Sequence, residues 1–598
     1  MRGRGFRSVL VTLVAGSLAL AGVAVSADSA APVGPPTSTG TGGAAATVER
    51  LATQAAIATL RKGGNAIDAT VTAAAVLGVT EPFSCGVGGG GFMVVYQAPL
   101  RPRGRPHVFT LDSRERAPAA MRPDSFMEGG RPLVFNDARY SGLSVGVPGT
   151  VRGWSEALRR YGSKRVTLAQ ALAPAIAIAR SGFEVDQTFF DQISDNRDYF
   201  DDVPASAALY LDADGTPRDV GTTFRNPELA QTYELIARGG ANAFYTGDLA
   251  NAIVQTVTAP SIAPSANHRW RPGVMAASDL AAYVAPQRAP TRVRYRGADV
   301  FGMGPPSSGG STVGEALNIL EGYTLSGMTR EAALHLYLEA SRYSFADRGA
   351  YLGDPDFVKV PLRGLLSKGF AQTRRALIGE RAVPGSVPPG DPAPFSGGVT
   401  ANGEASITST RAGTTTHLTV SDKQGNVATY TFTIESTGGS GLVVPGRGFL
   451  LNNELTDFNF DSVTHPNRVE GNKRPRSSMA PTIVLRGGKP LLALGSPGGS
   501  TIITTVLQIL VDRLDLGTPL PQALANPRAT QRNGRTTTAE PAFIASPEAL
   551  ALTGRGHAFV STPEVGAATG MEFLGGGRVV VAAEPARRGG GSALVVKP

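Results

Sequence analysis

The feature that most constrains this chain is a change of pattern near residue 414. From about Pro384 to Gly413 the sequence is rich in Pro, Gly, Ser and Thr and has almost no hydrophobic periodicity, which is linker composition. At Thr414-Thr415-Thr416-His417-Leu418-Thr419-Val420-Ser421-Asp422 it turns at once to alternation, and after Lys423-Gln424-Gly425-Asn426 the alternation resumes through Val427 to Ile434. That pattern predicts a β-hairpin with a short Gly-containing loop. Pairing Ser421 with Val427 puts Thr415 opposite Thr433, with Cβ atoms roughly 5 Å apart. A hydroxyl at a strand start, met by a second hydroxyl and preceded by a linker, suggests a peptide bond made to be cut. A Thr hydroxyl is a weak nucleophile until a base takes its proton. A freed α-amino group on the same residue, with a pKa near ~8, is such a base. An internal Thr415 is therefore latent, and a cut between Thr414 and Thr415 would activate it. Three consecutive threonines are also simply a β-prone strand start.

At the other end, Arg2, Arg4 and Arg7 precede an apolar run from Val9 to Val25, and Val25-Ser26-Ala27 offers small residues for cleavage. Residues 1–27 are read as a secretory signal peptide, too short for a comfortable membrane span. The remainder has no comparable apolar run, so an exported protein without stable membrane insertion is expected, with 28–47 as a disordered lead-in. Removing 1–27 takes away three Arg and no acid, so the formal charge of +9 becomes +6. That is small for 598 residues, and no basic cluster appears, which argues against nucleic acid as a partner. The single Cys85 excludes an internal disulfide and has no neighbouring His or acid to activate it, so it reads as a buried thiol. The six His residues show no ligand spacing, so no metal is expected. Stability must come from a core, which 42% hydrophobic residues can supply.

Helical patterns over Val48 to Leu77 break at Lys62-Gly63-Gly64-Asn65. The run Gly86 to Gly91 formally matches a dinucleotide fingerprint, but the strand follows the glycines instead of preceding them, so a tight turn is the better reading. A strand from His107 to Asp112 leads into Ser113-Arg114-Glu115. From Thr150 to Arg348 the patterns are mostly helical, interrupted by a strand-like run, Pro290 to Met303, and by Pro305-Pro306-Ser307-Ser308-Gly309-Gly310. Further on, Glu454 and Asp457 stand three apart after an apolar strand. Then come Asn472 to Met479 and a strand, Leu491 to Leu494, running into Gly495-Ser496-Pro497-Gly498-Gly499-Ser500 and a helix from Thr501. Backbone N–H groups at such a helix start suit an anion or a developing oxyanion. A plain strand-to-helix turn is the alternative.

Together these stretches, with Val147-Pro148-Gly149, Tyr351 to Pro355 and Thr415-Thr416-His417, stand in an order that resembles the γ-glutamyltranspeptidases (glutathione hydrolase proenzymes) over roughly residues 48–530. These are N-terminal-nucleophile hydrolases. The resemblance implies an α/β (α+β) fold, a four-layer αββα sandwich assembled from two subunits of one precursor. The large subunit would be 48–414, with 384–414 a flexible linker, and the small catalytic subunit 415–598. It also implies roles: Thr415 as nucleophile, Thr433 orienting its hydroxyl, and Gly498 and Gly499 as the oxyanion hole. For the donor, Arg114 with Ser477 and Ser478 would seat the α-carboxylate, while Glu435, Glu454 and Asp457 surround the ammonium. Glutathione and other γ-glutamyl compounds are the implied donors, with water, amino acids or dipeptides as acceptors and no cofactor. Two departures stand out: many relatives have Asn where Glu435 stands, and Ala567 to Met571 lacks a Gln-containing pattern often seen, leaving the last strand pairing open. Two other readings remain. A cephalosporin or glutaryl acylase of the same superfold would share Thr415 and the Gly-Gly turn but has no use for three acids. A non-enzymatic exported binding protein would keep a pocket but need no cleavable linker.

Overall fold

Strand Thr37–Thr47 ties two sheets together, and the site depends on where it does so. The structure, a computed structural model, describes residues 36–99, 107–397, 403 and 414–598. The expected signal peptide and most of the stretch just before Thr414 lie outside the described residues. In chain order the main strands are β1 (Thr37–Thr47), β2 (Gly90–Gln97), β3 (His107–Asp112), β4 (Thr291–Tyr295), β5 (Ala298–Gly302) and β6 (Thr416–Asp422). They continue with β7 (Val427–Thr433), β8 (Thr482–Arg486), β9 (Lys489–Gly495), β10 (Thr569–Gly575), β11 (Arg578–Ala583) and β12 (Ser592–Lys597). One sheet runs β3-β2-β7-β6-β1-β12 and the other β1-β11-β10-β9-β8-β5-β4, with antiparallel neighbours throughout. β1 belongs to both: Thr37–Gly40 pairs with β11, and Gly43–Thr47 pairs with β6.

Alternation decides which face meets what. Phe92, Val94 and Tyr96 of β2 join the core between the sheets, while Met93 and Val95 face the opposite way, onto helices α1 (Arg50–Arg61) and α2 (Ala66–Thr80). Helix α2 starts where the glycine break ends, on a capping box in which Asn65 and Asp68 exchange bonds. Helices α3 (Gly309–Leu320), α4 (Arg330–Tyr351) and α5 (Thr501–Leu514) pack with β8 and β9 on the other side. The layers are αββα. The region 290–303 is a hairpin, β4–β5, turning at Arg296-Gly297, and β10 pairs with β9 and β11, which settles the C-terminal pairing. Among the described residues no helix is long and apolar enough to cross a membrane.

Two expectations are corrected. Residues 37–47 are a central strand, not part of a disordered lead-in. Their small side chains reflect crowding: a Cβ on Gly40 would sit 2.1 Å from the Lys597 carbonyl oxygen, and Gly42 and Gly43 have φ of 82° and 115° where the strand bends from one sheet to the other. Residues 384–397 are likewise docked. Val387 N donates to Asn533 Oδ1 (2.7 Å), Gly390 N donates to Asp347 Oδ1 (2.6 Å), and Gly390 O accepts from Tyr351 (2.7 Å). Low apolar content there conceals polar anchoring onto α4.

The hairpin β6–β7 has the expected register, Ser421 against Val427 through Thr416 against Phe432. Asp422 closes its loop by accepting from the backbone of Gln424 (2.9 Å) and Asn426 (3.0 Å). Behind the first turn of β6, His417 is buried between the sheets, its Nδ1 2.8 Å from Thr431 Oγ1 and its Nε2 3.1 Å from Thr419 Oγ1 and 3.0 Å from Thr429 Oγ1. Burial pushes its pKa down to about 3, so the ring is neutral. Gly495 of β9 lies against it, and a Cβ there would be 2.3 Å from the ring. Gly495→Ala should therefore destabilise the protein by about 1–3 kcal/mol. In a His417→Ala background, with the ring gone, the same change should cost nearly nothing; denaturant midpoints of the four proteins test this.

Candidate active site

Thr415 directly precedes β6 and is buried. Its Oγ1 reaches Thr433 Oγ1 at 3.1 Å and also the carbonyl oxygen of Thr414. Thr433 Oγ1 donates to that same carbonyl at 2.8 Å and accepts from the backbone of Glu435 at 2.8 Å. The Thr433 lone pair is thus engaged from behind, which leaves its proton aimed at Thr414. Glu435 provides that N–H from a left-handed backbone, φ 81°. Arg588 fixes the other side of Thr415, donating to its carbonyl (2.7 Å) and to Ser84 Oγ (2.9 Å). No sequence signal pointed to Arg588: it sits in a C-terminal loop far along the chain.

Thr415 opens onto a cavity of about 340 Å³ that Thr433, Glu435, Arg114, Glu454, Asp457, Ser477, Ser478 and Gly499 also line. Gly498 stands beside it, and the two glycines take φ of 127° and 57° just before α5, a backbone that side chains resist. The expected site residues are therefore gathered, but not all as expected. Arg114 does not stand opposite the acids. Its Nη1 donates to Glu454, its Nη2 to Asp457 (2.5 Å) and its Nε to the Pro475 carbonyl (3.1 Å). Glu115, behind it, is pushed up to about 8 by burial despite Arg114, so it is neutral at pH 7. One guanidinium thus faces two carboxylates, and Glu435 adds a third acid. Glu435 Oε2 accepts from Ser436 Oγ and Asn453 Nδ2, both at 2.5 Å, and burial, followed by the charge of Asp457, raises its pKa. This wall is acidic overall.

The opposite wall is made of hydroxyls. Ser477 Oγ accepts from Met479 N (3.2 Å) and Ser478 Oγ accepts from Arg348 Nη2 (2.7 Å). Among the described residues neither hydroxyl has an acceptor for its own proton. Arg348 also donates to Ser308 Oγ (2.8 Å), and Ser308 donates its backbone N–H (2.8 Å) and its hydroxyl (2.6 Å) to the Ser477 carbonyl. Arg476 turns away, capping the carbonyls of Arg348 (3.2 Å) and Gly349 (3.3 Å) at the end of α4. Ser308 lies in the Pro305–Gly310 stretch and Arg476 in the Asn472–Met479 stretch singled out by sequence, whereas nothing in the sequence marked Arg348. At the rim, Phe460 stacks on Phe126 with centroids 4.3 Å apart.

The site can be set against known proteins. The profile of the family described as "Gamma-glutamyltranspeptidase" matches residues 52–594. The chain is 38% identical over 534 residues to a glutathione hydrolase proenzyme of Bacillus subtilis (strain 168), covering 88% of this chain and 86% of that one. It is 35% identical over 548 residues to an acylase ACY 1 proenzyme of Pseudomonas sp. (strain SE83), covering 90% of both. Among solved structures, a cephalosporin acylase from Bacillus halodurans superposes with a TM-score of 0.78 at 27% identity over 94% of this chain and 97% of its own.

The bond at 414–415 itself gives a test. Thr433→Val removes the only side-chain donor that Thr414 O receives from outside Thr415 among the described residues. Losing one donor to a developing oxyanion costs about 10²–10³ in rate. Conversion of the precursor into two fragments, followed on a denaturing gel, should slow by that factor.

Proposed function

We propose that this chain, which belongs to the gamma-glutamyltranspeptidase family, is a self-cleaving enzyme that moves γ-glutamyl groups from amides such as glutathione to water, amino acids or dipeptides, with Thr415 as its nucleophile. The observation that carries this reading is the Thr415–Thr433–Thr414 cluster, a hydroxyl 3.1 Å from a second hydroxyl that itself holds the preceding carbonyl. In the first step Thr415 Oγ1 attacks the Thr414 carbonyl carbon, Thr433 supports the oxygen as it gains charge, and the C–N bond breaks to leave an ester. The departing nitrogen takes up the Oγ1 proton and becomes the free α-amine of Thr415, and water then hydrolyses the ester to release the Thr415 hydroxyl and a Thr414 carboxylate. The products are a large subunit ending at Thr414 and a small one of 598 − 414 = 184 residues, held together as a heterodimer. The signal-like residues 1–27 support export.

Donor turnover reuses the same hydroxyl. The freed amine takes the Oγ1 proton, Oγ1 attacks the γ-carbonyl, and N–H groups of Gly498 and Gly499 receive the oxyanion. The leaving amine takes the proton, and water or an acceptor amine then cleaves the γ-glutamyl ester. A γ-glutamyl group carries both a carboxylate and an ammonium at its α-carbon. The hydroxyl wall of Ser477 and Ser478, with Arg114 at its edge, suits the first. The acids Glu435, Glu454 and Asp457 suit the second. The acylase relatives make a glutaryl donor, which has no ammonium, the reading to separate.

Two outcomes follow. Thr415→Ala should stay a single chain without activity, and N-terminal sequencing of the wild-type small fragment should begin at Thr415. Efficient cutting of that variant would remove Thr415 from the mechanism. Asp457→Asn should lower kcat/KM about tenfold on a γ-glutamyl anilide, the low end for a charged hydrogen bond because its side chain is 34% exposed. A glutaryl anilide should lose little. Equal losses would favour the acylase reading.

A further inference from the structure

The two walls differ in how their charges are balanced. Arg114 is covered by Glu454 and Asp457, and Arg476 is spent on carbonyls at the end of α4. Arg348 is the exception. It lines the cavity, is only 5% exposed, and among the described residues has no carboxylate within ion-pair distance. Burial and the nearby charges of Arg476 and Arg532 hold its pKa well below the usual value, Asp457 being the one acid that opposes them. A guanidinium stays protonated in a protein all the same, and the last turn of α4, with its carbonyl ends, is a favourable place for it. A buried cation without a counter-ion is costly unless something anionic joins it.

Its hydrogen bonds show where that anion would sit. One arm of the guanidinium holds Ser478 Oγ, and the other holds Ser308, which grips the Ser477 carbonyl with both its N–H and its hydroxyl. Ser478 accepts from Arg348 on one lone pair, which turns its O–H away from the guanidinium, and the positive charge behind it strengthens that O–H as a donor. Ser477 likewise accepts on one lone pair, from Met479 N. Both protons are left for the cavity.

We propose that Arg348 is a positioning residue for the substrate carboxylate: it fixes the Ser477–Ser478 strip, turns the Ser478 O–H away from itself and strengthens it as a donor, and supplies the positive charge that Arg114, already neutralised, does not. This rests on the γ-glutamyl reading of the site above. It makes the preference for a carboxylate beside the scissile chain a property of helix α4, in the large subunit, although the nucleophile and both serines belong to the small one.

The test compares γ-glutamyl-p-nitroanilide with its α-carboxamide, in wild type and in Arg348→Met, using fully processed protein. The ratio of kcat/KM for carboxylate over carboxamide should fall about 10- to 100-fold, the worth of one charge-assisted hydrogen bond, chiefly through KM. Arg348→Lys, which keeps the charge and one bond, should restore part of the ratio. In a Ser478→Ala background, Arg348→Met should cost much less, because the relay is already cut. Equal losses on both substrates, or additive effects of the two substitutions, would make Arg348 merely structural and overturn the proposal. Where Arg348→Met fails to process, Arg348→Lys and the Ser478→Ala cycle built on it carry the same comparison. Calorimetry with L-glutamate and its α-amide runs alongside. Wild-type turnover of neither anilide would sink the γ-glutamyl reading, while glutamate binding that weakens in Arg348→Lys would still support this role, and binding indifferent to Arg348 would end it.

Discussion

The site depends on the register of β6 against β7. A slip of one residue would turn every side chain of β6 to the opposite face. Thr415 would lose Thr433, and His417 would leave its ring of threonine hydroxyls. Several independent restraints hold the register: the Asp422 loop at one end, the neutral imidazole between the sheets, and β1 and β2 on either flank of the hairpin. Gly495 completes the arrangement from the other sheet, since only a residue without a side chain lets β9 approach that ring. The Thr415 hydroxyl, directly before that strand, is thus placed by the most over-determined part of the fold. Rigid strands position reacting groups more closely than loops do.

Around that hydroxyl the cavity separates charge. Its acidic wall keeps more negative than positive groups in contact, and its other wall presents hydroxyl protons backed by a guanidinium. Such a cavity distinguishes ligands by which ends are charged rather than by bulk. That is the difference between a γ-glutamyl and a glutaryl group, and the relatives include both glutathione hydrolase and acylase proenzymes. Specificity of this kind rests on polar groups left unpaired when the wrong ligand binds.

Much of this was legible in the chain. Alternation on both sides of Asp422 specifies the hairpin, and counting across it places Thr433 beside Thr415, as the register has it. The carboxylates and serines were visible as short motifs. What the sequence concealed falls into two physical kinds. Residues 37–47 look too small and polar to fold, because crowding by β6, β11 and β12 selects Gly and Ala where composition alone reads disorder. Arg348 and Arg588 carry no signal in the sequence, because the carbonyls and hydroxyls that receive them are distant along the chain. Arg114 was legible as a site residue, yet its partners were not: spacing cannot say that Glu454 and Asp457 reach it first.

The placement of β1 also sets an order of events. It is among the first parts of the chain to be made, yet the strands it pairs with, β6, β11 and β12, come from the last third, β12 ending one residue from the C-terminus. Both sheets therefore rest on pairing between segments far apart in the chain, which is slow to form. The geometry at Thr414 and Thr415 depends on β6 being seated beside β1. After a cut, β1 would remain stitched between strands of the other fragment on both sides, and parting the two pieces would mean unfolding both sheets.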